Sequence, residues 1–351
     1  MKLIFTLSLL LATFISNGQT YNGPESAEFD VVNNRWLIGN TGSHQVLAKD
    51  SLGALTIFAQ GLGSGPYGIE IVGDTLFCCC GSSIKGYLLS SGAQVFNVNV
   101  GASFLNGLAH DNSSNLYATD FSSKTIIRLN IATQVDSVVA SGLTQTPNGI
   151  IFDEANNRCV YVTWGSNAPV KAIDLSTYAV STVVTTTLGS CDGIARDGEG
   201  RYYVSSWGSQ SIYRFDSAFA APPVVVGTGM SSPADIYYDA VHDVLAVPNS
   251  GNNTVTFLDF NTSIIVCIGT GNISNVYPNP ANSNVTVEFT DENYSSVEVF
   301  NSAGQIVNKI GYTKTGNNFV INVSALARGN YYFILNSENG KTARGNFVVG
   351  E

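Results

Sequence analysis

The chain has 351 residues, of which 44% are hydrophobic and only 12% charged, with 35 glycines and a net charge of −10. That acid excess argues against a nucleic-acid partner, because phosphate binding needs clustered Lys and Arg, and it suits hard cations instead. Low charge with many glycines favours an all-β protein with tight turns, since long surface helices would need more Lys and Glu.

The chain opens MKLIFTLSLLLATFISNGQ. Lys2 gives a positive start, Leu3 to Ile15 form a short apolar run, and Ser16, Asn17 and Gly18 follow as small polar residues. Residues 1–18 therefore read as a secretory signal peptide. The run is too short to span a membrane, and no later segment is a transmembrane candidate, so the mature chain is expected to be soluble and exported.

A phrase then recurs. It reads PESAEFD from Pro24, PYGIEI from Pro66, LNGLAHD from Leu105, PNGIIFD from Pro147, CDGIARD from Cys191 and PADIYYD from Pro233, with successive openings 42, 39, 42, 44 and 42 residues apart. Periods of this length mark repeat architectures. Each phrase opens a short apolar strand such as Gly149 to Phe152. A polar turn leads to a second strand, such as Cys159 to Trp164. A Gly/Ser/Asn loop leads to a third, such as Ser211 to Phe215, and a Val-rich stretch such as Val224 to Val226 closes the unit. Short β-rich runs bounded by turn residues are strands, and no stretch holds a helical period. Four strands per unit and six units specify a six-bladed β-propeller, expected over residues 19–270.

The six cysteines are Cys78, Cys79, Cys80, Cys159, Cys191 and Cys267. Their spacing fits no zinc pattern, and the adjacent three must alternate between the two faces of a strand. Small buried residues, with room for one disulfide, are expected.

Residues 271–351 carry a different pattern. Val285, Val287 and Phe289 alternate with polar residues, as do Val297 and Val299, then Phe319, Ile321 and Val323; Tyr331 to Leu335 and Phe347 to Val349 complete the set. Period-two alternation indicates half-buried strands of a small β-sandwich. The YPNP opening at Tyr277 to Pro280, VFNSAGQIV at Val299 to Val307, INVSALARGNYYFIL at Ile321 to Leu335 and the closing GNFVV resemble the type A C-terminal sorting domain of type IX secretion substrates from Bacteroidota. That resemblance implies the type IX export machinery as a partner, and a final location outside the cell or on its surface.

In a propeller the innermost strands start around a central channel, so the phrases gather Glu25, Tyr67, Asn106, Asn148, Asp192 and Ala234 at one mouth. Two carboxylates and two amides offer oxygen atoms, which favour calcium, magnesium or manganese over zinc. His44, His110 and His242 occupy unrelated repeat positions. The second strands end at the same mouth, placing Asn40, Asp120, Phe121, Trp164, Trp207 and Asn249 there; Phe121, Trp164 and Trp207 form a candidate aromatic wall for a flat or sugar-like ligand. The plain structural alternatives are that Asn-Gly and Asp-Gly act as turn residues, and that WGSN and WGSQ are packing loops. No nucleophile elbow or phosphate-binding loop is present.

These residues resemble the senescence marker protein/gluconolactonase/luciferin-regenerating enzyme family of six-bladed propellers. The matching positions are Glu25 with Asp30 in ESAEFD, Asn106 in LNGLAHD, Asn148 in PNGIIFD and Asp192 in CDGIARD. The chain departs from the family in having Ser26-Ala27 where Gly-Pro follows the Glu, and in lacking an arginine beside Asn106. The resemblance implies a divalent cation, calcium foremost, with magnesium, manganese or zinc as other occupants, held by Glu25, Asn148 and Asp192. It implies hydrolysis of a lactone or related ester with Asp192 as catalytic residue, and a contact to substrate or water from Asn106; the second-strand ends add Asp120, Phe121, Trp164 and Trp207 as candidate contacts. A non-catalytic, ligand-binding propeller with a structural cation is the alternative.

Overall fold

The computed structural model describes residues 19–260, 272–290, 294–301, 306–307, 310–337 and 341–350. The expected signal peptide, Cys267 and the expected domain boundary at residues 270 and 271 lie outside the described residues. Contacts divide the chain into two compact units, residues 1–259 and 260–351. Strands dominate both; a three-residue 3-10 turn, Glu154–Asn156, is the helical piece among the described residues. No helix among them is long and apolar enough to cross a membrane.

The first unit is a β-propeller. Its described residues form six antiparallel sheets, five of four strands and the last of three, Tyr237–Asp239, Val244–Asn249 and Thr254–Asp259. In each sheet the strand opened by the repeat phrase is innermost. These inner strands are Pro24–Asp30, Ile69–Val72, Leu105–His110, Thr146–Asp153, Cys191–Arg196 and Tyr237–Asp239. Each touches the next in order, and the last touches the first. A backbone bond of 2.8 Å from the Asp235 N–H to the Glu25 carbonyl joins the two ends.

Hydrophobic clusters fill the seams between neighbouring sheets. The adjacent cysteines show why the strands read as nearly continuous apolar runs. Cys78 and Cys80 face the first sheet's Leu37 and Val46, while Cys79 faces the third sheet's Leu108 and Leu116. A central strand is buried on both faces, so alternation sends neighbours to opposite seams. Cys78, Cys79, Cys80, Cys159 and Cys191 are all buried free thiols. Burial pushes the Cys78 and Cys79 thiols well above their ordinary pKa, which keeps them protonated and inert.

The Asp that ends most phrases holds the hairpin turn at the other end of the inner strand. Asp30 accepts from the Asn33 N–H and amide and from Arg35. Asp111 holds Ser113 and Asn115, Asp153 holds Asn156 and Arg158, and Asp197 holds Glu199 and Arg201.

At the axis the glycine of the phrase is a steric requirement. A Cβ on Gly68 would stand 2.4 Å from the Asn106 carbonyl oxygen, and one on Gly149 2.5 Å from that of Asp192. Backbone meets backbone there, so no side chain fits between. Two hydroxyls stitch the same layer. Thr119 receives the Gly107 N–H at 2.9 Å and donates to the Asn148 carbonyl of the next sheet at 2.8 Å. Ser205 receives the Gly193 N–H at 2.7 Å and donates to the Ala234 carbonyl at 2.8 Å.

The second unit is a small β-sandwich. One sheet orders Asn272–Tyr277, Asn284–Thr290, Asn318–Asn322 and Tyr312–Thr315; the other orders Tyr294–Asn301, Gly329–Ser337 and Thr342–Val349. Every alternating position singled out in the sequence, from Val285 through Phe319 and Phe333 to Val349, lies in its one core.

Thr119→Val keeps the shape of that side chain but leaves the Gly107 N–H and the Asn148 carbonyl unpaired at a fully buried site. It is expected to cost about 1–3 kcal/mol by denaturant unfolding, with Thr119→Ser close to the parent.

Candidate functional site

The candidate residues sit where the inner strands bulge. In the first sheet Pro24 pairs with Asn40 and Ser26 with Gly39, leaving Glu25 as the extra residue. In the third sheet the register jumps from Leu105 to Leu108, in the fourth from Pro147 to Ile150, and in the fifth from Cys191 to Ile194. Asn106-Gly107, Asn148-Gly149 and Asp192-Gly193 are thus each two residues set against one. A bulge re-aims side chains away from the ladder, and here it turns the residue before each glycine toward the ring's centre. Asn-Gly and Asp-Gly therefore act inside strands, not as turns.

The site is acidic and poorly satisfied. Asn106, Asn148 and Asp192 are 5%, 1% and 3% exposed. Asn148 Oδ1 and Asp192 Oδ1 are buried with no hydrogen-bond partner, and so is the indole Nε1 of Trp207. Asn148 instead donates its amide to the Cys191 carbonyl at 3.3 Å. Burial lifts the Asp192 carboxyl to about 7, against the opposing pull of the Asn148 amide and the Trp207 N–H beside it. Solvent still reaches part of Glu25, yet burial is the first cause that pushes its carboxyl well above the ordinary range, followed by the charges of Asp192 and Asp235.

Three more carboxylates extend this group along the axis. Asp235 is raised by burial and then by Asp192 and Glu70. Burial raises Glu70 to about 8. Glu28 is raised by burial and then by Glu70, with Asp235 adding a further push. Asp235 occupies the place that glycine holds in the other phrases, and its Oδ1 lies 3.2 Å from where a Gly149 Cβ would stand.

Beside the carboxylates runs an aromatic arc. Tyr67, Phe104, Phe121, Trp164 and Trp207 contact one another in that order, with ring centroids 4.5, 5.6, 6.0 and 5.2 Å apart, every pair edge-to-face. All five are half-exposed. Trp207 ends the arc at Asp192, and Tyr67 begins it at Glu25, whose charge adds to burial in raising the Tyr67 hydroxyl.

The structure thus gathers Glu25, Asn148, Asp192 and the aromatic trio. Asp120 is at the same rim, but its carboxylate is taken up by the backbone N–H groups of Ser103, Phe104, Ser122 and Ser123. Burial alone would raise its pKa; the N–H groups of Ser123, Ser103 and Phe104 outweigh that and hold it below the usual range. Asn40 and Asn249 are loop holders too, accepting from the Asn22 and Ser231 N–H groups. His44 bonds the Gly65 carbonyl, just before the second phrase opens, and His242 bonds the Asp239 carboxylate at the far end of the last phrase. The sequence reading passed over Asp235, Glu28, Glu70 and Phe104. Aligning PADI with CDGI on their first residues, Pro233 and Cys191, places Ala234 at the site, with Asp235 one position away.

Among the described residues no three His, Cys, Asp or Glu side chains are drawn into a ready-made metal cage. The candidate ligand set of two carboxylates and an amide does not need one. The buried, unpartnered Asn148 Oδ1 and Asp192 Oδ1 are the atoms a hard cation would satisfy, so these residues fit such an ion.

Residues 275–349 match the secretion system C-terminal sorting domain. The chain therefore carries a type IX sorting domain. No curated protein matches the chain. Among solved structures, a nidogen/laminin complex chain is similar at 16% identity and a TM-score of 0.57, covering 64% of this chain and 89% of that one. A calcium-binding protein, regucalcin, from Agrobacterium tumefaciens is similar at 14% identity and a TM-score of 0.57, covering 68% and 90%. A protein of unknown function from Bacteroides thetaiotaomicron has the same TM-score of 0.57 at 14% identity, covering 68% and 70%. At these identities the likeness shows the propeller fold, and a fold shared by such different proteins does not carry a function.

The raised carboxyls fix a pH response. In the unfolded chain they lose protons near pH 4, whereas in the folded chain Asp192 holds its proton to about 7 and Glu70 to about 8. The folded state binds more protons between those limits, so stability falls as pH rises from 5 to 8. Thermal melts of the mature chain in chelator should show this decline, and Glu70→Gln should flatten it.

Proposed function

We propose that the propeller is a secreted, divalent-cation-dependent hydrolase of a lactone or related ester, with its site at the mouth lined by the repeat phrases. The observation that carries this is the pair of buried, unpartnered oxygens on Asn148 and Asp192, set beside Glu25 and below a half-exposed aromatic arc.

Glu25, Asn148 and Asp192 would hold the cation, calcium foremost. The ion, when bound, supplies positive charge that offsets the buried carboxylates and polarises a carbonyl. The chain's own groups do the rest. Asp192, with one carboxylate oxygen given to the cation, would accept a proton from water at the other, as a general base does. Asn106 and the Trp207 N–H can orient a polar substrate atom. Phe121, Trp164 and Trp207 exclude water from one side of the ligand and give its ring a face to lie against. The propeller of residues 19–270 would reach the cell exterior through the signal peptide and the type IX machinery acting on residues 271–351.

The test pairs a binding readout with a rate. The mature chain is melted with calcium, magnesium, manganese, zinc or chelator, and assayed on a panel of lactones under the same conditions. At a hundred times its Kd, a specific ion should add about 2.7 kcal/mol of stability. Asn148→Ala and Asp192→Ala should lose that gain. Asp192→Ala should also lower kcat/KM by about a hundredfold or more. A wild-type protein whose melting temperature no ion raises, or whose lactone hydrolysis survives both chelator and Asp192→Ala, would contradict the proposal.

A further inference from the structure

We infer that the mouth selects a lactone carrying an apolar body, an alkyl chain or an aryl ring, over a polyhydroxylated sugar lactone. The lactone ring rests on the hydrolase reading; the apolar body rests on the rim of the mouth.

The register of the sheets sets the aromatic residues at one level. In the third sheet Asp120 pairs with Leu105, which opens the phrase, and Phe121 comes next. In the fourth Thr163 pairs with Pro147 and Trp164 comes next. In the fifth Ser206 pairs with Cys191 and Trp207 comes next. Phe121, Trp164 and Trp207 are therefore equivalent, one step beyond the phrase opening, while Asn106, Asn148 and Asp192 lie one step inside it. Sheets of a propeller splay apart as they leave the axis, so equivalent side chains of neighbouring sheets touch only close to it. Centroid separations of 6.0 Å from Phe121 to Trp164 and 5.2 Å from Trp164 to Trp207 thus put the wall beside the channel. Phe104 and Tyr67 carry it on to the second sheet.

The other side of the mouth is low. The equivalent residues there are Thr41, which follows the Asn40 paired with Pro24, and Ser250, which follows the Asn249 paired with Pro233. Half-exposed rings on one side and small side chains on the other leave a cleft along the rings. Contiguous exposed apolar surface of this kind marks a binding site.

The polar groups of the rim are committed to its own loops. Thr41 donates its hydroxyl to the Gly23 carbonyl, Ser250 to that of Ser232 and Ser206 to that of Gly189. Asn40 and Asn249 both donate to backbone carbonyls and accept from backbone N–H groups. Asp120 accepts four N–H groups. A sugar lactone would shed the water on its hydroxyls here and meet partners already engaged, which weakens binding for each hydroxyl left unpaired. An alkyl chain or aryl ring loses no hydrogen bond and covers the ring faces.

Lactams keep the ring and resist hydrolysis, so calorimetric titration reads binding whether or not the chain is an enzyme. Five-membered lactams bearing alkyl chains from propyl to heptyl are titrated into the full mature chain with calcium, beside gluconolactam. Complete burial of a methylene is worth about fourfold in affinity and burial against one wall about twofold, so affinity should rise about fifteenfold from propyl to heptyl. Gluconolactam should bind at least about tenfold more weakly than the heptyl compound. Trp164→Ala and Phe121→Ala should each flatten the rise along the series, whereas loss of folding would remove all binding. No heat from the heptyl lactam at about 1 mM, an affinity that does not climb with chain length, gluconolactam bound as tightly as the heptyl lactam, or a rise unchanged in both variants would overturn the inference. Assay of the matching lactones separates the two readings. A steep lactam series with no lactone hydrolysed supports the apolar selectivity and overturns the hydrolase; a higher kcat/KM for gluconolactone than for the heptyl lactone supports the hydrolase and overturns the selectivity.

Discussion

Inner strands that meet backbone to backbone around one axis set the terms for everything else in the propeller. Gly68, Gly107, Gly149 and Gly193 lie where a Cβ would fall within 2.4–2.6 Å of a neighbouring carbonyl oxygen or backbone nitrogen. Such close approach needs the strands freed from their own hairpins for two residues, and the bulges at Asn106-Gly107, Asn148-Gly149 and Asp192-Gly193 provide that freedom. The released backbone groups of Gly107 and Gly193 are then taken by Thr119 and Ser205, which link the third sheet to the fourth and the fifth to the sixth. The residue beside each glycine has nowhere to go but the axis. The protein has used that position for Tyr67, Asn106, Asn148 and Asp192, and in the first sheet the bulged residue is Glu25.

Convergence at an axis surrounded by protein then decides the electrostatics. Burial disfavours the charged form of a carboxyl and is the first cause that raises Glu25, Glu28, Glu70, Asp192 and Asp235, with neighbouring like charge adding to it at Glu25, Glu28 and Asp235. The turn-holding Asp120 shifts the other way, because four N–H groups meet its charge. The same residue type thus performs opposite tasks in one propeller, Asp120 consumed by the scaffold and Asp192 left with an unmet oxygen. Clusters of strongly shifted carboxyls with unmet oxygens are where function concentrates.

Much of this was legible in the sequence. The repeat phrase located all six inner strands, and strands such as Ser211–Phe215 fell where the pattern placed them. Period-two alternation named most of the sandwich core, from Val285 to Val349, but not Ala281, Tyr294 or Ala343. Alternation also foretold that Cys78, Cys79 and Cys80 face opposite seams. What stayed hidden depended on offsets too small for a pattern to show. Asp235 stands at the glycine position of its phrase, so a single-residue slip concealed it. Glu28 and Glu70 reach the axis from further along their strands, where the phrase gives no polar signal. Asp120, Asn40 and Asn249 end second strands as expected, but whether such a side chain faces a ligand or caps a loop depends on the loop's backbone, which composition does not reveal.

Terbium luminescence tests the central claim most directly, that Glu25, Asn148 and Asp192 form a hard-cation site against Trp207. Terbium substitutes for calcium at oxygen sites and emits when a nearby excited tryptophan transfers energy to it. Excitation of the tryptophans in the mature chain should give terbium emission that saturates at one equivalent, is displaced by calcium, and is lost in Asp192→Asn and in Trp207→Phe. No sensitised emission, or emission that persists unchanged in both variants, would contradict the account.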